Sequence, residues 1–140
     1  MNCGTVLHDK HFQFHNTGSQ TNKLSIVVQM TGTAHFALVT TTQSKGKNRE
    51  PGCQLKDTPP NFYLPQGSCW FNKETWVLLD ILHEFDGDIL EAKIADRDID
   101  VFENQLPSTL LKAILNCALE SPDLDGFDKG FIRQALAQLV

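Results

Sequence analysis

Residues 23 to 41, KLSIVVQMTGTAHFALVTT, hold two β-branched-rich runs joined by only four residues, TGTA. Four residues is the length of a hairpin connection, and a hairpin brings the start of its first strand and the end of its second to the same edge of the sheet. The other short apolar runs of the first two thirds, GTVL (4 to 7), HFQF (11 to 14), NFYLP (61 to 65) and TWVLLDIL (75 to 82), are separated by turn chemistry and read as further strands. GTVL and HFQF read as two short strands or one interrupted hairpin, and HNTGSQTN (15 to 22) as a polar loop.

After residue 86 the period changes. In PSTLLKAILNCALES (107 to 121), Leu110, Ile114, Cys117 and Ala118 recur at helical spacing, with Pro107 suited to a first turn and Pro122 ending the run. FDKGFIRQALAQLV repeats the pattern through Phe131, Ile132, Ala135, Leu136 and Leu139, with Asp128 available as its cap, and GDILEAK (87 to 93) has room for a shorter helical turn. The expected class is α+β, mostly β: a small, curved antiparallel sheet closed by C-terminal helices at about 107–121 and 128–139. A chain of 140 residues fits one domain, 1–140.

No apolar run approaches the roughly 18 residues of a membrane span, and MNCGTVLHDK has neither a secretory nor a transit pattern, so the cytoplasm is the expected location. Cys3, Cys53, Cys69 and Cys117 are scattered without a CxxC pair, which predicts reduced structural thiols rather than zinc or a disulfide framework. Charge is unevenly distributed: residues 1 to 79 carry seven Lys/Arg against four Asp/Glu, residues 80 to 140 five against thirteen. The acidic total of −5 therefore conceals a basic first half, and a nucleic-acid partner responds to the local patch.

The predicted hairpin puts Lys23 beside Thr41, immediately before Lys45, Lys47 and Arg49. Cations neutralise the non-bridging oxygens of a phosphodiester and a hydroxyl donates or accepts at the reacting centre, so this edge is a candidate phosphate site. β-Propensity alone also accounts for a threonine run, Thr40 to Thr42, on a half-exposed strand. His8, His11 and His15 have the spacing H-x2-H-x3-H, in which only His11 and His15 share a strand face, so an acid-base role for one of them outranks zinc. His83 reads as structural or as an RNA contact, while Tyr63, Trp70 and Phe71 either stack unpaired bases or fill core.

Taken in order, GTVL, HNTGSQTNKLSIVVQ, FALVTTTQSKGK, TWVLLDILHEFD and STLLKAILNCAL resemble the segments of the MazF/PemK (Kid) toxins of toxin-antitoxin systems, over residues 4 to about 120. The resemblance implies an SH3-like barrel at about 4–102, with an inserted loop at 48–74. It also implies a homodimer neutralised by a cognate antitoxin, which cleaves single-stranded RNA at short sequences without metal or other cofactor. By position it places Lys23 at the family's catalytic arginine, Thr41 at its catalytic Thr or Ser, and Asp80 at an acid functional in some members; Lys45, Lys47 and Arg49 would bind the RNA. Lysine lacks arginine's bidentate fork, and the insert and the tail from 121 to 140 depart from the family pattern. The alternative is a barrel that has lost the chemistry and binds RNA or a protein.

Overall fold

The computed structural model describes residues 1–13, 20–68, 71, 73–103 and 105–139, and for residues 13 and 20–22 the backbone alone. Among the described residues, eight strands and three helices follow in the order β1 (Val6–Gln13), β2 (Gln20–Met30), β3 (Ala34–Thr41), β4 (Gly52–Gln54), β5 (Asn61–Leu64), β6 (Thr75–Leu78), β7 (His83–Asp86), α1 (Gly87–Ala95), β8 (Ile99–Val101), α2 (Ser108–Leu119) and α3 (Gly126–Gln138). The strands pair antiparallel in the order β4-β5-β6-β3-β2-β1-β8, and β7 also pairs with β3. That order is an open path with β4 and β8 at its ends. The α+β, mostly antiparallel class expected from the sequence is thus the observed one.

Side-chain alternation explains the layering. Val6, Ile26, Val28, Phe36 and Leu38 face one way and pack with Leu111, Ile114, Leu115, Ile132 and Ala135 of α2 and α3. Phe36 stacks on Phe131 with ring centroids 4.1 Å apart. Leu7 and Val27, one residue out of phase, join Leu90 and Ile99 in a second cluster with α1 and β8 on the opposite face. Gly4 is required where the chain enters the sheet: its φ is +92°, and a Cβ there would lie 2.8 Å from Leu111 Cδ2.

Several local expectations are corrected. Residues 6–13 form one continuous strand instead of two, because a register shift between Asp9 and Phe12 absorbs the polar interruption and the Asp9 carboxylate accepts from the His11 N–H at 3.0 Å. Phe14 and residues 15–19 lie outside the described residues, and β2 already begins at Gln20. TWVLLDIL is not one strand: β3 pairs with β6 through Thr40 and Thr41 but with β7 through Ala34 to Ala37, so residues 79–82 must cross from one position to the other. Asp125, not Asp128, caps α3, accepting from the Asp128 N–H at 2.8 Å.

The largest correction concerns the cysteines. Cys53 of β4 and Cys117 of α2 form a disulfide, with Cα atoms 5.6 Å apart and a sequence separation of 64. Only the packing of α2 across the sheet brings them together, which spacing along the chain does not reveal. Cys3 is a half-buried free thiol that burial raises to about 11, and Cys69 lies outside the described residues.

Candidate functional site

The β2–β3 register pairs Ser25 with Val39, and continuing it by two residues sets Lys23 against Thr41. On its other side Lys23 is opposite Asp9 of β1. At this end of the sheet a pocket of about 120 Å³ is lined by His8, Lys23, Thr40, Thr41, Thr42 and Thr75, with Leu24 as its apolar wall. The two residues that the hairpin argument paired, Lys23 and Thr41, therefore share a cavity.

The hydroxyls are held by the backbone. Thr40 Oγ1 donates to the Leu24 carbonyl at 2.9 Å, Thr75 Oγ1 donates to the Lys73 carbonyl at 3.0 Å, and Thr41 Oγ1 accepts from the Gln43 N–H at 3.2 Å. An accepting Thr41 oxygen directs its own hydrogen elsewhere. Lys23 is half-buried, and its ammonium is pushed below the ordinary lysine range, first by loss of solvent and then by the charge of Lys47.

His8 is the residue that sequence reasoning left without a place. It lies opposite Leu24 on β1, one position from the Asp9–Lys23 pair, and lines the pocket beside both Lys23 and Thr41. Strand alternation puts His8 on the Leu24 face, out of phase with the Asp9–Lys23 pair, so no sequence signal would have found it in this pocket. His11 lies outside this pocket, with its Nδ1 3.5 Å from the Asp98 carboxylate, and His15 is outside the described residues. His83 packs edge-on against Phe12 with centroids 5.3 Å apart, a structural contact.

The three predicted RNA-binding cations are in different situations. Lys45 is exposed. Lys47 folds back on its own loop, donating to the Gln43 and Lys45 carbonyls at 3.1 and 3.3 Å, and its charge reaches Lys23, Asp57 and Asp80. Arg49 is committed: its guanidinium makes two bonds to Glu74, at 2.9 and 3.2 Å, and lies 5.9 Å from the centre of the Trp76 ring. Asp80 does not line the pocket. It lies half-buried just after β6, where burial, followed by repulsion from Asp123, raises its carboxyl against backbone hydrogen bonds and the Lys47 charge that lower it.

The loop that carries these cations is tied down. The Asp57 carboxylate accepts from the Asn48 N–H at 2.9 Å, from the Asn48 amide at 2.6 Å and from the buried Asn61 amide at 2.9 Å, while Trp76 Nε1 donates to the Asn48 carbonyl at 2.8 Å. Burial would raise the Asp57 carboxyl, but these donors outweigh it and hold it below the usual carboxylate range. The predicted insert is thus built into the sheet as β4 and β5, with Tyr63 packed on Trp76 and Phe71 in the core. Trp70 lies outside the described residues.

A second, wider cavity of about 600 Å³ adjoins the first through Thr42, which lines both; among the described residues Tyr63, Gln66, Lys73 and Glu74 also line it. Thr42 thus stands between a narrow cavity lined by Lys23 and a broad one lined by Glu74. Among the described residues, no helix is long and apolar enough to cross a membrane. Comparison of the chain with protein-family models, with curated proteins and with solved structures found no match in any of the three.

Proposed function

We propose that this chain is a metal-independent, sequence-selective endoribonuclease that acts on single-stranded RNA from the pocket of His8, Lys23 and Thr41. The observation that carries the reading is that His8, Lys23 and the threonine run Thr40 to Thr42 line one small cavity at the end of the β2–β3 pair. In the reaction, the ribose 2′-oxygen forms a bond to the adjacent phosphorus and the bond from phosphorus to the 5′-oxygen breaks. His8 takes the 2′ proton as general base. Lys23 neutralises the non-bridging oxygens and returns a proton to the departing 5′-oxygen, a transfer eased by its lowered pKa. Thr41 donates its hydroxyl hydrogen to the phosphoryl group, and the products are a 2′,3′-cyclic phosphate and a free 5′-hydroxyl.

Lys45 and Lys47 attract the RNA backbone, whereas Arg49 acts through the fold that its pairing with Glu74 supports. Asp80 enters only through the charge of Lys47, which both it and Lys23 feel. With this activity goes the MazF/PemK-like setting: an SH3-like barrel elaborated by the β4–β5 hairpin, a homodimer, and neutralisation by an antitoxin. The Cys53–Cys117 bridge is the feature that departs from this setting, because the cytoplasm expected for it keeps thiols reduced.

The second reading is a module that binds RNA without cutting it, motivated by a lysine where the family has arginine's planar fork. One experiment separates the two: incubate the purified protein with a long single-stranded RNA in excess EDTA and read product ends by mass spectrometry. Cyclic-phosphate ends, lost in Lys23→Ala and His8→Ala, are the expected outcome. Intact RNA in the presence of folded protein overturns the nuclease reading in favour of the binding module, whose affinity would fall steeply with added salt.

A further inference from the structure

We propose that the wider cavity is a nucleobase subsite that takes a base carrying an exocyclic amino group, cytosine over uracil being the cleanest case. The inference rests on the phosphodiester reading of the adjoining pocket, because Thr42 borders both cavities and a nucleotide held by its phosphate at Lys23 has its base or its neighbour's base within reach of the next.

Glu74 supplies the chemistry. Its Oε1 accepts from Arg49 Nε at 2.9 Å and from the Tyr63 hydroxyl at 2.8 Å, whereas among the described residues Oε2 accepts only from Arg49 Nη2, at 3.2 Å. Each carboxylate oxygen offers two acceptor sites, so Oε2 retains one, and the side chain is 32% exposed along the cavity wall. The bonds from Arg49 and Tyr63 keep the carboxyl below its ordinary range, so the group is acceptor-only at neutral pH. An acceptor-only group selects a donor. Cytosine presents an amino group where uracil presents a carbonyl, and a carboxylate facing that carbonyl is repelled.

The acceptor is also fixed in place. Arg49 holds Glu74 in two-bonded geometry, and Tyr63, 7% exposed, packs against Trp76 with centroids 5.0 Å apart. A ligand therefore meets a pre-organised wall and does not have to order it. Gln66, exposed at the rim, can match either a donor or an acceptor on the same base, and exposed Lys73 suits the next phosphate along the strand. The narrow pocket reads only backbone, which every sequence shares; a base-edge contact next to it is what selectivity requires.

The test measures binding of uncleavable 2′-O-methyl tetranucleotides, all-cytidine and all-uridine, to the full chain by fluorescence anisotropy, with two-dimensional NMR to map the residues that respond. The expected result is roughly tenfold tighter binding of the cytidine tetramer, the size of one hydrogen bond to a charged group. Glu74→Gln is expected to erase that ratio, and Lys23→Ala to weaken both tetramers alike. Because Glu74→Gln also releases Arg49, the unaltered protein provides a second reading: the Gln66 side-chain amide shifts with both tetramers and saturates at a roughly tenfold lower concentration of the cytidine one. Equal binding of the two tetramers, both weakened by Lys23→Ala, overturns the base subsite and leaves the phosphate pocket standing. A cytidine preference with affinities for both tetramers that Lys23→Ala leaves unchanged removes the phosphate pocket instead, and no binding of either tetramer overturns both.

Discussion

Thr40 and Leu24 are joined by a 2.9 Å hydrogen bond from hydroxyl to carbonyl that closes the end of β3 onto the start of β2, beside the pocket that Lys23 and Thr41 line. Thr40 is 3% exposed, so water does not readily replace its hydroxyl. Thr40→Val keeps the shape and leaves the Leu24 carbonyl unpaired, an expected loss of about 1–2 kcal/mol in urea denaturation. Activity is expected to fall further than stability, because the strand end that carries the site loosens.

Lys47 lowers both Lys23 and Asp80 without touching the pocket. Lys47→Ala should therefore raise the Lys23 ammonium toward its ordinary value and raise the Asp80 carboxyl further, both readable as carbon chemical shifts during pH titration. The sign of the linked stability follows. Between the lowered Lys23 value and 10.5 the folded chain binds fewer protons than the unfolded one, so this term favours folding increasingly as pH rises through that window. Removing Lys47 flattens that dependence.

The Cys53–Cys117 bridge closes a sequence separation of 64, for which the loop-entropy relation gives a stabilisation of about 4 kcal/mol. A Cys53→Ser, Cys117→Ser double variant is expected to lose most of this and to unfold at the same denaturant concentration with or without a dithiol. The unaltered chain should be sensitive to the dithiol. Indifference of the unaltered chain to reduction would show that the bridge does not form in solution.

Gly4 occupies a backbone conformation that L side chains avoid, and it faces Leu111 of α2. Gly4→Ala combines the backbone strain with displacement of Leu111 Cδ2, at an expected cost of about 2 kcal/mol or more in thermal or urea unfolding. Gly46→Ala has a positive φ of +74° but open space around the Cβ position, so it should cost less. The difference between the two measures the close approach of α2 by itself.

The strands and helices were legible where one period dominated. The 23–30 and 35–41 runs became β2 and β3 almost residue for residue, and the C-terminal pattern became α2 and α3. Short strands were not legible: β4 and β8 are three residues each, too short to show alternation, and exist because a longer neighbour lends them a ladder. The crossing between β6 and β7 was hidden inside a single apolar run, TWVLLDIL, which reads the same whether or not the chain changes partner.

The sequence by itself determined that the start of β2 and the end of β3 would share an edge, because a short connection folds the two runs into a hairpin; the register shift between Val27 and Gln29, which aligns Lys23 with Thr41 and not Thr42, belongs to the tertiary structure. The sequence did not determine which cations stay available, that Asp80 stays out of the pocket, that His8 joins it, or that Cys53 reaches Cys117. Each of those depends on contacts between segments far apart in the chain: Arg49 with Glu74, Asp80 beside Asp123, β1 against β2, and α2 over β4. Hairpin geometry is fixed by a few neighbouring dihedrals, but the partner of a charge or a thiol is fixed by how whole elements pack.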